Sequence, residues 1–411
     1  MKVRRVLAPV GYRVPIRTIV SAMVLAGVRW DAETALMRSI EQHFGVGRAL
    51  GVSSGKAALA LILMALKRLT GRNKVVIPAY TCYSVPSAIV KAGLEVVPVD
   101  LAPDGFDYDY DQLRKKVDGD VLCVLSIHLF GIPADTERVK KMCEGTGIFV
   151  VEDAAQAMGG SVGGKRLGTI GDVGFFSLGR GKNMTCGAGG IILTGNSEIS
   201  TALDALVASL PAASPVATAA SFVTLLALSL LLMPTMYWFP AGLPFLRLGE
   251  TIFHEDFPIR RLSAFQVLLL RHWRRDLGEL DSIRRATAAH YRAHVVSVRR
   301  SSEQIAYLRY PVILSVPAHK HVLLVAQDGA SLGISAMYPT SVGAIPQLSG
   351  HLREYDFPRA ERIAQSLVTL PTHPLVSDKD RQRICALVNA VETSAPDSAL
   401  GERLQTSCGG V

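Results

Sequence analysis

The stretch 149–192 reads FVVEDAAQAMGGSVGGKRLGTIGDVGFFSLGRGKNMTCGAGGII. Its first apolar residues predict a strand, which ends in two carboxylates at Glu152 and Asp153, and an amide follows at Gln156. Acidic groups at the C-terminal edge of a strand face the crevice where α/β sheets bind ligands. The stretch therefore predicts a ligand site at this edge of a sheet.

A second apolar strand, predicted over residues 173–178, carries a hydroxyl at Ser177. It opens into a glycine-rich turn, residues 179–183, which we call the lysine loop because it holds Lys182. An acid, an amide, a hydroxyl and an amine thus follow one another at fixed offsets.

These four groups suit the chemistry of pyridoxal phosphate. A lysine amine can form a Schiff base with it, an acid can pair with its pyridinium nitrogen, and a hydroxyl can hold its phosphate. Each residue alone has a structural explanation, as a helix cap, a packing residue or a solvated lysine. Their combination with the flanking sequence favours the cofactor site.

The flanking sequence resembles the DegT/DnrJ/EryC1/StrS family of fold-type I, pyridoxal-phosphate-dependent sugar aminotransferases. Three segments carry the resemblance: EDAAQA at 152–157, GTIGDVGFFS at 168–177, and KNMT with GAGG between 182 and 190. The resemblance implies that Lys182 makes the covalent link to the cofactor and that Asp153 is the partner of the pyridine nitrogen. It places Gln156 beside the ring and Ser177 at the phosphate. The family's dehydratase branch carries His at the lysine position, so Lys182 favours transamination.

A turn before a long apolar helix is the predicted phosphate cradle, because free N–H groups at a helix N-terminus bind anions. Its residues are Ser54, Gly55, Lys56 and Ala57. The family usually has Thr where this chain has Lys56. The main-chain N–H groups of Lys56 and Ala57 are the expected donors.

Two further turns complete the predicted cofactor site. The family commonly places an aromatic residue over the cofactor ring at the position of Cys82, so Tyr80 or Tyr83 takes over the stacking, or the thiol replaces it. His128 begins HLFGIPAD, which resembles a family segment near the active site, and we expect a supporting role for it.

Two other positions depart from the family pattern. Ile259 stands where relatives have an Asn that holds the phosphate from the partner subunit, and Arg260 is a candidate replacement donor. Ala188 stands in a GAGG segment where GEGG is usual. None of the departures removes the lysine, the acid or the serine.

The alternation of apolar strands and helical segments over 411 residues predicts an α/β fold. We expect a large domain with a mostly parallel sheet, a smaller α+β C-terminal domain and an apolar insert that associates with a membrane. The predicted divisions are an N-terminal basic and apolar arm at 1–30, the large cofactor-binding domain at 31–204, the insert at 205–246, a helical connection at 247–298, the small domain at 299–395 and a disordered tail at 396–411.

Charge and cysteine content exclude several function classes. The net charge of +9 comes from basic residues scattered along the chain without a nucleic-acid-binding motif, so we expect no nucleic-acid partner. Anionic sugar nucleotides or anionic lipids account for the balance equally well. The six cysteines form no CxxC pair, which argues against a metal site and a disulfide framework.

The insert at 205–246 contains no charged residue, and residues 216–233 are nearly long enough to cross a bilayer. Pro234 and the aromatic residues after it would break a helix and lie at a membrane interface. A re-entrant or interfacial hairpin is the preferred interpretation, with a buried core helix as the alternative. In the N-terminal arm, residues 16–28 predict an amphipathic helix, either packed on the protein or anchored at the interface.

The sequence thus predicts an aminotransferase that moves an amino group from an amino acid to a keto sugar, and glutamate is the expected donor. The sugar carrier is a nucleotide or a polyprenyl lipid, in surface polysaccharide or glycolipid synthesis. The resemblance implies a homodimer, and the insert favours a cytoplasmic enzyme held at the inner face of the membrane. The alternatives are a non-catalytic membrane scaffold or sensor, and another fold-type I reaction on a lipid or amino-acid substrate.

Overall fold

The computed structural model describes residues 5–27, 31–103, 105–243, 251–296, 305–325, 329 and 331–394. The predicted disordered tail and the last three residues of the predicted insert lie outside the described residues.

The larger part of the chain contains nine strands: β1 (Arg48–Val52), β2 (Lys74–Pro78), β3 (Glu95–Val99), β4 (Val121–Ile127), β5 (Phe149–Asp153), β6 (Ser161–Val162), β7 (Lys165–Arg166), β8 (Val173–Ser177) and β9 (Gly190–Thr194). Seven of them form one sheet in the order β1-β9-β8-β5-β4-β2-β3. β8, β5, β4, β2 and β3 run parallel, and β9 is antiparallel to both of its neighbours. The mostly parallel α/β sheet is therefore confirmed.

Eleven helices accompany these strands or follow them: α1 (Ile16–Leu25), α2 (Ala32–Phe44), α3 (Gly55–Thr70), α4 (Ser84–Lys91), α5 (Tyr110–Lys116), α6 (Thr136–Cys143), α7 (Ser197–Ala208), α8 (Pro215–Leu231), α9 (Trp238–Ala241), α10 (Ala264–Leu269) and α11 (Trp273–His294). Both faces of the sheet are covered. On β2, Val75 and Ile77 join the cluster that contains the apolar helix α3, and Val76 joins the opposite cluster with α5 and α6. The alternation along the strand decides which side chain faces which layer.

The helix α3 is central because its sequence is apolar on nearly every side and its ends carry strong signals. Ser54 caps its N-terminus through a bond from the Ala57 N–H, and Gly71 ends it with a positive φ of 73°. A helix that is apolar all round is buried. Its first turn is thereby held at the edge of the sheet where β5 and β8 end.

The C-terminal part contains the antiparallel strands β10 (Arg309–Ile313) and β11 (Leu367–Pro371) with helices α12 (Pro317–Val325), α13 (Pro358–Ser366) and α14 (Asp378–Glu392). Its core, built around Tyr310, Val368 and Ile384, is a separate cluster. The boundaries given for the two domains remain predictions.

The described part of the insert contains the last four residues of α7, the surface helix α8 and the short helix α9. In α8 only Leu225 and Ser229 are buried, so the alternative of a buried core helix does not describe it. Within the described ranges, no helix is both long and apolar enough to span a bilayer. The N-terminal helix α1 ends at Leu25, earlier than residue 28, and residue 28 lies outside the described residues.

Candidate active site

A cavity opens at the sheet edge where β5 and β8 end, beside the first turn of α3. It is lined by Ser54, Gly55, Lys56, Leu59, Thr81, Cys82, Ser84, Val85, Ile127, Asp153, Ala155, Gln156, Phe175, Ser177 and Lys182. Eight of the eleven predicted site residues therefore meet around one space. The other three, Ala57, Tyr83 and His128, are not among the lining residues.

Asp153 is the acid of the cavity. It is the last residue of β5, and its Oδ1 accepts a hydrogen bond of 2.9 Å from the Ala155 N–H. Burial raises the pKa of Asp153, and the nearby Lys182 ammonium opposes that rise. A cation placed against this carboxylate would favour its ionised form.

A buried arginine binds the backbone of the lysine loop. Arg284 on α11 is 2% exposed, and its Nη2 donates to the carbonyl of Asn183 at 3.2 Å and to that of Lys182 at 3.5 Å. Arg284 also forms an ion pair with Asp281 at 3.5 Å. Burial outweighs this attraction and raises the pKa of Asp281 to about 6.

The other carboxylate, Glu152, does not line the cavity but fixes the segment beneath it. Its Oε1 accepts from His128 Nε2 and the Gly168 N–H, both at 2.7 Å. Its Oε2 accepts from the N–H groups of Ile170 at 2.7 Å and Gly171 at 3.0 Å. Burial alone would raise the pKa of Glu152, but these hydrogen bonds, with His128 first, bring it below its ordinary value. The supporting role expected for His128 is thus to hold Glu152.

Gln156 is fixed between two parts of the chain. Its Nε2 donates to the Tyr338 hydroxyl at 2.8 Å, and its Oε1 accepts from the Phe130 N–H at 3.1 Å. Both polar atoms are therefore used, and the amide has one orientation at the cavity wall.

The phosphate cradle is built by close packing of a glycine on a serine. A Cβ on Gly55 would lie 2.7 Å from Ser177 Cβ, which is too near for any side chain there. The Ala57 N–H donates to Ser54 Oγ at 3.1 Å, so this expected phosphate donor already has a partner. Lys56 Nζ lies 4.8 Å from the centre of the Phe257 ring, and partial burial lowers the pKa of Lys56.

Of the three groups considered for the ring-stacking position, the thiol of Cys82 lines the cavity. Tyr80 donates to the carbonyl of Tyr338 at 3.3 Å, and the hydroxyl of Tyr83 bonds to that of Thr340. Both tyrosines are therefore committed to the segment 337–340.

The segment around Ile259 contacts Ser53, the residue before the phosphate cradle, within the same chain. The Ser53 N–H donates to the carbonyl of Arg260 at 2.9 Å, and the Arg260 N–H donates to Ser53 Oγ at 3.1 Å. The cross-subunit role expected of this segment remains a prediction.

The sequence did not predict two residues that line or support the cavity. Thr81 lines the cavity with a buried hydroxyl that has no hydrogen-bond partner among the described residues. Arg284 lies about a hundred residues from the loop that it holds, and only its spacing of three from Asp281 hinted at a buried pair.

Comparison with known proteins agrees with this geometry. Residues 28–209 match the model of the DegT/DnrJ/EryC1/StrS aminotransferase family. The chain is similar to the family over these 182 of its 411 residues. The resemblance in the segments around Asp153 and Lys182 is thereby confirmed.

The relatives match different shares of this chain. GDP-perosamine synthase of Vibrio cholerae is 31% identical over 154 residues, which are 38% of this chain and 41% of that protein. UDP-N-acetyl-3-dehydro-α-D-glucosamine 3-aminotransferase of Acidithiobacillus ferrooxidans is 24% identical over 369 residues, 86% of this chain and 87% of that one. Spr1654 of Streptococcus pneumoniae, solved in a PLP form, has a TM-score of 0.73 at 18% identity and covers 97% of this chain and 98% of its own. The chain thus spans about two fifths of the first relative, and the third shows the shared fold.

Pyridoxal phosphate is the cofactor of DegT/DnrJ/EryC1/StrS aminotransferases, and the residues present fit it. The unpartnered Thr81 hydroxyl offers an unused donor at the cavity wall. The close approach of Gly55 to Ser177 adds no side chain at that position of the helix N-terminus, which suits a bound phosphate. Asp153 and Lys182 lie on the same cavity, as the cofactor's ring nitrogen and aldehyde require.

Proposed function

We propose that this protein is a pyridoxal-phosphate-dependent aminotransferase that transfers an amino group from glutamate to a keto sugar. One observation carries the proposal: the amine of Lys182, the acid of Asp153 and the cradle of Gly55 and Ser177 share one cavity. An amine, an acid and a phosphate cradle are what the cofactor's reactive groups need.

Each residue has a separate task in this scheme. When bound, pyridoxal phosphate supplies an electron sink that makes the donor's Cα–H acidic. Lys182 holds the cofactor and then, as a free amine, moves the proton at Nζ. Asp153 keeps a proton on the ring nitrogen, because a carboxylate favours a neighbouring cation. Ser177 and the first turn of α3 hold the phosphate, and Gln156 bounds the ring.

The sugar class is supported by the names of relatives, two of which are a GDP-perosamine synthase and an aminotransferase of a UDP-linked sugar. A nucleotide or a polyprenyl lipid carries the keto sugar, and Lys56 in the cavity wall suits an anionic acceptor. A homodimer, and a place at the inner face of the cytoplasmic membrane, complete the proposal. Light scattering on the purified protein measures the dimer.

The first test is the absorbance spectrum of the protein with added pyridoxal phosphate. We expect a band that borohydride traps on Lys182 and that shifts when glutamate is added. Lys182→Ala removes the band, whereas Lys165→Ala, at an exposed lysine of β7, leaves it unchanged. No band in the wild type would favour the non-catalytic scaffold.

The second test separates the reaction classes. Keto sugars on nucleotides or polyprenyl carriers and acyl thioesters are offered to the amino-loaded protein. Turnover with acyl thioesters alone would replace the sugar proposal by another fold-type I reaction.

A further inference from the structure

The exposed apolar side chains of this protein are concentrated in two stretches. Of the eighteen large apolar side chains that are exposed among the described residues, eleven lie within residues 16–24 and 216–239. Contiguous apolar exposure of this kind marks a surface that binds a protein or a membrane. We call the exposed apolar side chains of these two stretches the apolar platform.

The two stretches are neighbours because α1 packs against α8. Ile19 and Ala22 of α1 and Leu225 of α8 point into one core cluster. Arg13, just before α1, donates from Nε to the carbonyl of Ser229 at 2.6 Å. The inner faces of both helices are thus fixed to the protein.

The outer faces are mainly apolar, with Arg17 on α1 and Thr224 on α8 as the exposed polar residues. On α8, Val216, Val223 and Leu230 recur every seven residues, which is two helical turns, and are 78%, 63% and 50% exposed. On α1, the exposed apolar residues are Ile16, Val20, Met23 and Val24. Both helices therefore present their apolar outer faces to the surroundings.

The charges favour an anionic bilayer as the occupant. Residues 5–27 contain three arginines and no carboxylate, and residues 205–243 contain no charged residue. Arg5 is paired with Asp380, so Arg13 and Arg17 carry the available positive charge. Arginines beside an apolar helix attract anionic lipid headgroups. A twofold contact would press the patch against itself, and the two stretches hold no carboxylate to meet those arginines in a second copy.

Aromatic residues lie where a membrane interface would be. Tyr237, Trp238 and Phe239 follow the end of α8, and Trp238 and Phe239 are 41% and 50% exposed. Amphipathic aromatic rings concentrate at the headgroup level. With its inner face fixed and its outer face apolar, α8 suits a position in the plane of the interface.

We propose that α1 and α8 together form a lipid-docking surface that lies flat on an anionic bilayer. The N-terminal helix thereby becomes part of the docking surface, beside the insert. This proposal rests on the proposed function for its purpose, since it names the membrane surface where the enzyme meets its acceptor.

The test is co-sedimentation of the full-length protein with vesicles of phosphatidylcholine containing about one third phosphatidylglycerol. Val20→Asp and Val223→Asp each place a carboxylate on the apolar platform, and we expect binding to fall about tenfold or more. Val162→Asp in the β6–β7 hairpin is the matched control, since Val162 is 43% exposed and Val20 is 44% exposed. It should bind like the wild type.

A second variant tests the charge. Arg17→Gln leaves the apolar platform intact, and we expect it to lower the preference for anionic over neutral vesicles by about fivefold. Circular dichroism checks that each variant is folded.

Three results would overturn the docking surface. They are a wild type that stays in solution, a Val162→Asp variant that loses binding as much as Val20→Asp, and a Val223→Asp variant that changes only the oligomeric mass. The last result would assign the surface to a second copy. The glutamate-dependent spectral change is measured in every sample, so lost docking with an intact spectrum refutes this inference alone, and the reverse refutes the proposed function alone.

Discussion

Replacing Glu152 with Gln tests whether a buried carboxylate holds the edge of the sheet beneath the candidate active site. Glu152 accepts four hydrogen bonds, two on each oxygen, and its side chain is fully buried. An amide offers one oxygen and one NH2 group. Whichever way the amide turns, two donors that now meet an oxygen would meet another donor.

The tautomer of His128 prevents its Nε2 from accepting a hydrogen bond from the new amide. Its Nδ1 accepts from the Ala134 N–H at 3.0 Å, so its proton is on Nε2, which faces Glu152. Each buried donor left without an acceptor costs about 1–3 kcal/mol, so we expect Glu152→Gln to destabilise by about 2–6 kcal/mol. That is a large part of the stability of a typical protein.

Urea unfolding without added cofactor measures this loss. Glu137→Gln is the control, because Glu137 pairs with Lys165 at the surface and its loss should cost at most about 0.5 kcal/mol. The pKa of Glu152 is held below its ordinary value near 4.5, so its contribution is present above that pH and is lost as the pH falls through the lowered pKa. The gap between wild type and variant should therefore narrow in acid. A loss under about 1 kcal/mol at pH 7 would refute the reasoning.

Three further changes address the cavity and the lysine loop. Gly55→Ala puts a Cβ 2.7 Å from Ser177 Cβ, so we expect pyridoxal phosphate to bind at least about tenfold more weakly in an absorbance titration, while Gly195→Ala, with open space around it, binds normally. Arg284→Lys removes the planar fork beneath the lysine loop and should slow the glutamate-dependent spectral change by about tenfold, with equal cofactor occupancy as the check. Burial raises the pKa of Asp281 from an ordinary 3.8 to about 6, so the wild type should lose roughly 3 kcal/mol relative to Asp281→Asn as the pH rises from about 3 to 8, measured by thermal unfolding at both pH values; a constant difference would contradict the buried acid.

The sheet and the heart of the site could be predicted because they depend on local pattern. Apolar runs that end in polar residues mark strands, and the C-terminal ends of parallel strands meet at one edge. Asp153 and Ser177 therefore came together although they lie on different strands. Gln156 and Lys182 follow these strands at fixed sequence offsets, so their places in the site could also be predicted.

Contacts between distant segments could not be predicted in this way. Glu152 and Asp153 are adjacent acids, and successive side chains of a strand point to opposite faces, so one lines the cavity and the other meets His128. The sequence does not indicate which residues each of these two carboxylates contacts. Arg284 belongs to the same class, because its target is the backbone of a loop a hundred residues away.

Hydropathy indicated an apolar helix in the insert, but it does not show which face of that helix is buried and which is exposed. A helix that is apolar all round is read as buried or embedded in lipid. Here the inner face of α8 is in contact with the protein core through Leu225, and the outer face is left exposed. The packing of α8 against α1 and against the protein core divides those two faces.

The position of α8 relative to the lysine loop ties the two proposals together. A Cβ placed on Gly187 would lie 3.3 Å from Leu225 of α8. A Cβ placed on Gly181 would lie 2.7 Å from Val10, in the arm that leads into α1. Gly181 and Gly187 lie on either side of Lys182 in the sequence, so this part of the chain is covered by α8 and by the arm that leads into α1. A platform fixed on a bilayer therefore fixes the lysine loop relative to that bilayer. Docking would orient the cavity without moving the catalytic groups, and vesicle-bound protein should keep the spectrum and the glutamate response of the free protein.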